Sequence, residues 1–161
     1  INENIMVVPA LTGLGSPYWE PNVRGAIFGL TRNTSIAEIV KATLDSLAYQ
    51  TLDLIEVMQK DSGTKITEMR VDGGMIANDK FIQSLSNILQ IKIIKPHNIE
   101  TTALGAAYLA ALSSGLIKDT NSISKLWKSK NVYKPKIKGS LIKKQILIWK
   151  KTVSLLIKYH S

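Results

Sequence analysis

Asp72-Gly73-Gly74, followed by Asn78, is the part of this chain best suited to chemistry. The glycines sit between a strand-like segment, where Thr67, Met69 and Val71 alternate, and a helix-like one, with Phe81, Ile82, Leu85, Ile88 and Leu89 on one side. Bare backbone at such a junction lets a ligand come close. The helix behind it offers unpaired N–H groups and a positive dipole end, which suit phosphate oxygens. Asn78, at the helix mouth, has both a donor and an acceptor and could read a base or ribose edge. The same residues also make a tight turn, with Gly73 and Gly74 at positive φ and Asn78 or Asp79 as an N-cap. Spacing alone leaves both readings open. The segment is neither a GxGxxG fingerprint nor a phosphate-binding loop of the Gly-Lys-Ser/Thr type.

The remaining chemistry-bearing residues do not assemble into a catalytic set. Asp72 stands at a strand end, where stabilising the turn is the expected role. Asp45, Asp53 and Glu56 read as the surface of a long helix. His97 and His160 stand alone, without ligand spacing around them, so no metal site is expected. Tyr18 and Trp19 lie in a proline-rich loop and are expected to pack that loop onto the body.

Those residues are held by a legible series of elements. Residues 5–22 read as an irregular loop broken by Pro9, Gly13, Gly15, Pro17 and Pro21. A strand is predicted over 25–30. Ser35 and Glu38 form a capping box that opens a helix over about 36–60, with Ile36, Val40, Thr43, Leu47, Thr51, Leu54 and Met58 as its apolar stripe and Gly63 as its stop. A strand follows at about 66–71, a helix at 79–89, and a strand at 91–95 closed by Pro96. Thr101 or Thr102 should cap a helix to about 114, whose alanines and Gly105 would let it lie close to a neighbour. A short helix is expected at 122–127. A last amphipathic helix at 141–159 carries Ile142, Ile146, Trp149, Val153 and Leu156 on one face. Alternating strands and helices argue an α/β arrangement, with the strands ending at Val71 and Ile94 parallel neighbours across a crossover helix.

The chain has 161 residues, enough for one domain with a core. It lacks cysteine, so no disulfide or thiolate chemistry is available. No apolar run approaches the roughly 18 residues of a membrane span, and no signal peptide shows, so a cytoplasmic setting without membrane contact is expected. The chain opens on Ile1 and polar Asn2-Glu3-Asn4, which reads as an internal start in a longer protein. Charge is uneven: residues 1–117 carry a net −2, and residues 118–161 a net +11. A basic tail can serve nucleic acid or a membrane surface. Here the lysines are scattered among apolar positions with few aromatics or arginines, so a solvated helix face is the reading adopted, without a nucleic-acid partner.

Several of these runs resemble one family. Gly25-Ala26-Ile27-Phe28-Gly29-Leu30 and Glu38-Ile39-Val40-Lys41-Ala42-Thr43-Leu44-Asp45 look like a signature of the FGGY carbohydrate kinases. The run from Val8 through Thr12-Gly13-Leu14-Gly15-Ser16-Pro17-Tyr18-Trp19 to Gly25 is similar to the branch of that family that acts on glycerol. So are Asp72-Gly73-Gly74 with Asn78, and Thr101-Thr102-Ala103-Leu104-Gly105-Ala106-Ala107. The similarity covers residues 5 to about 135. It implies a ribonuclease-H-like, actin-like ATPase fold, with residues 1–161 as the later part of the C-terminal lobe, incomplete at its N-terminal end. It also implies ATP and ADP in a cleft between two lobes, with Gly73 and Gly74 against the ribose and phosphates and Asn78 meeting the adenine. Glycerol-binding residues, the catalytic aspartate and the Mg²⁺ ligands are then expected upstream, with none in this chain. Self-association of the whole protein is a further implication. Another sugar kinase of the family, or a non-catalytic nucleotide-binding module of the same fold, is the alternative.

Overall fold

Residues 5–98 and 100–161 are described by the computed structural model; the polar opening Asn2-Glu3-Asn4 lies outside them. The chain begins with β1 (Met6–Val8), antiparallel to β2 (Ala26–Phe28), with Val7 opposite Ile27. Residues 5–22 are therefore not wholly irregular. Ile5-Met6-Val7-Val8 is a short continuous apolar run, and β1 is buried along its length. Such a run lacks the alternation that marks a half-exposed strand. From Pro9 onward the chain is loop, as expected.

Helix α1 (Ile36–Ser62) starts at the expected capping box: Ser35 Oγ accepts from the Glu38 N–H, and the Glu38 carboxylate accepts from the Ser35 N–H at 2.9 Å. It ends at Gly63, whose φ of 64° suits glycine. The predicted face is wrong. Ser46, Ala48, Tyr49, Leu52, Asp53 and Ile55 are buried, while Ile36, Val40, Leu54 and Met58 are exposed. The face that packs on β1 and on the helix described next mixes Ser46, Ala48 and Asp53 with the larger Tyr49, Leu52 and Ile55.

Strand β3 (Glu68–Arg70) leads through a 3₁₀ turn (Gly74–Ala77) into α2 (Asp79–Leu89), and then into β4 (Lys92–Pro96). β3 and β4 are parallel, with Met69 opposite Ile93, as the strand–helix–strand pattern requires. All five apolar residues predicted for α2 are buried. A strand not anticipated, β5 (Ser129–Tyr133), lies antiparallel on the other side of β4, with Ile94 opposite Val132. Its residues are mostly polar and exposed, so no hydrophobic alternation marks it.

Between β4 and β5 lie α3 (Thr101–Ser113) and α4 (Thr120–Leu126). Neither threonine caps α3: the N-cap is Glu100, without a side-chain cap bond, and Thr101 is already helical. The expected close packing is also missing, for α3 has no buried residue. The last helix, α5 (Gly139–His160), buries Ile142, Trp149, Val153 and Leu156 as predicted, with Ile146 partly buried. Its Trp149 joins Tyr49 and Leu52 of α1, Ile82 and Leu85 of α2, and Ile93 of β4 in one core. That core supports the 3₁₀ turn from below through Ile76, which is 2% exposed.

Candidate nucleotide-facing site

The two glycines at the exit of β3 answer to different constraints. Gly73 has a φ of 85°, so the turn itself calls for glycine there. Gly74 opens the 3₁₀ turn without a positive φ, and a Cβ built on it would meet nothing within 4 Å. Neither backbone conformation nor packing among the described residues requires its missing side chain. Asn78 is the N-cap of α2: its Oδ1 accepts from the N–H groups of Lys80 at 3.1 Å and Phe81 at 3.3 Å. The side chain is exposed, and its amide nitrogen has no partner among the described residues. Capping thus uses only the oxygen end of the carboxamide and leaves its donor end open to solvent.

Asp72 is not a local turn stabiliser. Its carboxylate accepts from the Thr101 hydroxyl and so ties the exit of β3 to the start of α3. Beside this contact an open cleft is lined by Arg70, Pro96, Tyr108 and Trp127, with the Arg70 guanidinium 4.1 Å above the Trp127 ring. On the other side, at the start of α2, Asp79 Oδ1 accepts from Lys95 Nζ at 2.8 Å and from the Tyr133 hydroxyl at 2.7 Å. The bonds from Lys95 and then Tyr133 hold the Asp79 carboxyl below its ordinary pKa. Sequence reasoning passed over Lys95 and Tyr133. A lysine flanked by Ile93, Ile94 and Pro96 in a buried strand was the available signal.

Farther away, Asp53 is not helix surface. Its Oδ2 accepts from Trp149 Nε1 at 2.7 Å and from the Tyr18 hydroxyl at 2.9 Å. Burial raises its pKa, and the two donors offset only part of that rise. Burial also raises the Tyr18 phenol well above its ordinary value, and the Asp53 charge adds to it. Tyr18 therefore fastens the proline-rich loop to α1 and α5. Trp19 does not pack: its φ is 54° and its side chain is 74% exposed. The N–H groups of Tyr18 and Trp19 both bond the Gly15 carbonyl, and only the first of the two side chains finds a place on the body. His97 and His160 sit apart, and no group of three or more His, Cys, Asp or Glu could hold a metal ion among the described residues.

This architecture has known counterparts. A glycerol kinase from Alkaliphilus metalliredigens is 44% identical over 159 residues, 99% of this chain and 32% of that protein. One from Pediococcus pentosaceus is 53% identical over 137 residues, 84% of this chain and 27% of that protein. The crystal structure of Plasmodium falciparum glycerol kinase with ADP matches 96% of this chain and 31% of its own length, at 34% identity and a TM-score of 0.84. The chain thus spans about a third of the length of the relatives it matches, and its fold is that of the later part of an actin-like ATPase C-terminal lobe. Residues 2–114 match the family described as the FGGY family of carbohydrate kinases, C-terminal domain, and the chain belongs to that family.

Proposed function

We propose that this chain supplies the nucleotide-facing part of an ATP-dependent glycerol kinase, which forms glycerol 3-phosphate and ADP. The observation that carries the reading is Gly74, a glycine that neither the turn nor the packing requires and that leaves open space beside a helix mouth. Names of relatives that align along nearly the whole chain support the choice of glycerol. In this reading Gly73 and Gly74 present bare backbone to the ribose and phosphates, and the amide of Asn78 donates to the adenine. Phosphoryl transfer depends on holding donor and acceptor in line and on neutralising charge. The catalytic carboxylate and the glycerol pocket belong to the upstream two thirds of the whole kinase. In the same reading the Mg²⁺ ligands belong to that upstream part. A cytoplasmic, self-associating kinase completes the proposal; among the described residues no helix is long and apolar enough to cross a membrane.

Titration of ATP into the full-length kinase by calorimetry tests this. Gly74→Val should weaken binding strongly, because a branched side chain fills the space that the ligand needs. Asn78→Ala should weaken it by about 1 kcal/mol, the worth of a neutral hydrogen bond. Unchanged affinity in both variants would leave these residues with turn and cap roles only.

A further inference from the structure

We propose that Lys95, Asp79 and Tyr133 are positioning residues for the nucleotide, locking the mouth of α2 so that the free amide of Asn78 is held in one place above the sheet. The inference rests on Asn78 facing the nucleotide. Three elements converge on a single carboxylate oxygen, Asp79 Oδ1: α2 through Asp79 itself, β4 through Lys95 at 2.8 Å, and β5 through Tyr133 at 2.7 Å. Asp79 is the residue next to Asn78.

Local needs do not account for this arrangement. An acidic residue in the first turn of a helix is already stabilised by the helix dipole and by water. The Asp79 side chain is 62% exposed and has solvent to bond with. Lys95 is the costly member: its side chain is 9% exposed, and a buried ammonium needs a partner. An apolar residue would fill that position in β4 without the cost. Lys95 still pairs with Asn131 in the β4–β5 ladder, and the register shifts just after it, between Lys95 and Pro96. What the buried charge secures is reach: it ties the interior of the sheet to the rim where Asn78 sits. Tyr133 braces the same oxygen from β5, opposite Ile93. Without the lock, the first turn of α2 would keep its cap but could rock on its Asn78 hinge.

Five variants of the full-length kinase test the lock: Asn78→Ala, Lys95→Met, Lys95→Arg, Tyr133→Phe, and the double variant Asn78→Ala with Lys95→Met. Calorimetry gives the dissociation constant for ATP, steady-state kinetics give KM for ATP and for glycerol, and thermal unfolding reports stability. Lys95→Met should weaken ATP binding about fivefold and leave KM for glycerol unchanged. Lys95→Arg should restore most of that affinity. The double variant should bind no more weakly than Asn78→Ala alone, because the lock acts through Asn78. Losses that multiply in the double variant, or a KM for glycerol that rises in step with KM for ATP, would overturn the proposal and leave a plain stability role. So would an unchanged ATP affinity in Lys95→Met where Asn78→Ala does weaken binding; in that case the nucleotide reading of Asn78 stands. If Asn78→Ala changes nothing, that reading falls, and the lock falls with it. Should Lys95→Met fail to fold, Tyr133→Phe removes one donor from the same oxygen, and an ATP affinity equal to that of the unaltered protein would overturn the proposal.

Discussion

Gly74 leaves open space at the exit of β3, while Asp53 is buried between two donors. Gly74 was legible because its surroundings are local: a strand, a second glycine and a helix within a few residues. Since a Cβ there meets nothing, Gly74→Ala should leave stability intact or raise it by up to about 1 kcal/mol, through a less mobile unfolded chain. Nucleotide affinity should nevertheless fall. Chemical denaturation and ATP titration on the same variant check both halves. Asp53 was misread because its donors, Tyr18 and Trp149, lie 35 and 96 residues away. Its folded-state pKa is raised above the ordinary 3.8, so the native chain holds this proton more tightly than the unfolded one does. The contribution to stability is then full below 3.8 and is lost as pH rises through the folded-state value. Asp53→Asn removes this titration. The stability of the parent relative to that variant should therefore decline as pH rises from below 3.8 through the folded-state value, and urea unfolding midpoints measured along that rise would show it.

Elements were readable wherever one periodic pattern met one buried face. α5 buries one clean face, α2 buries its apolar face together with Ser86 and Asn87, and the parallel pair β3 and β4 follows from the crossover between them. α1 carries more apolar residues than one face can bury, so its pattern pointed to the wrong side. β1 and β5 failed for opposite reasons, one uniformly apolar and the other nearly all exposed. The site inherits this division. Gly73, Gly74 and Asn78 lie on a legible junction, whereas Lys95 and Tyr133 reach it through a strand pairing that local sequence does not encode. The two faces of α5 allow a direct test. Trp149 is fully buried and donates to the Asp53 carboxylate. Trp149→Phe keeps a ring but removes one of the two donors to the Asp53 carboxylate, leaving Tyr18 alone, and should cost about 1–3 kcal/mol. Leu147, on the same helix, is 68% exposed, and Leu147→Ala should fall within about 0.5 kcal/mol of the parent. Equal costs measured by denaturant unfolding would mean that the assigned face of α5 is wrong.

At the scale of the molecule, the chain carries apolar surfaces that nothing among the described residues covers. α3 has no buried residue, yet it carries Leu104, Leu109, Leu112 and six alanine or glycine positions. The outer side of α1 exposes Ile36, Val40 and Met58. Among the described residues β3 is an edge strand, paired only with β4. Relatives are about three times as long, so the reading proposed above gives these surfaces a natural cover in the rest of the kinase. Exposed apolar patches and open strand edges favour association between chains. Phosphoryl transfer also needs an acceptor held in line, and lobe closure to exclude water. A 161-residue protein of this sequence should therefore self-associate in solution, bind ATP more weakly than the full-length kinase, and form no glycerol 3-phosphate. Light scattering, calorimetry and a coupled assay with the purified chain check the three statements separately. Turnover of glycerol above a control without protein would place the acceptor site within residues 1–161 and overturn the assignment of glycerol binding to the upstream part of the kinase.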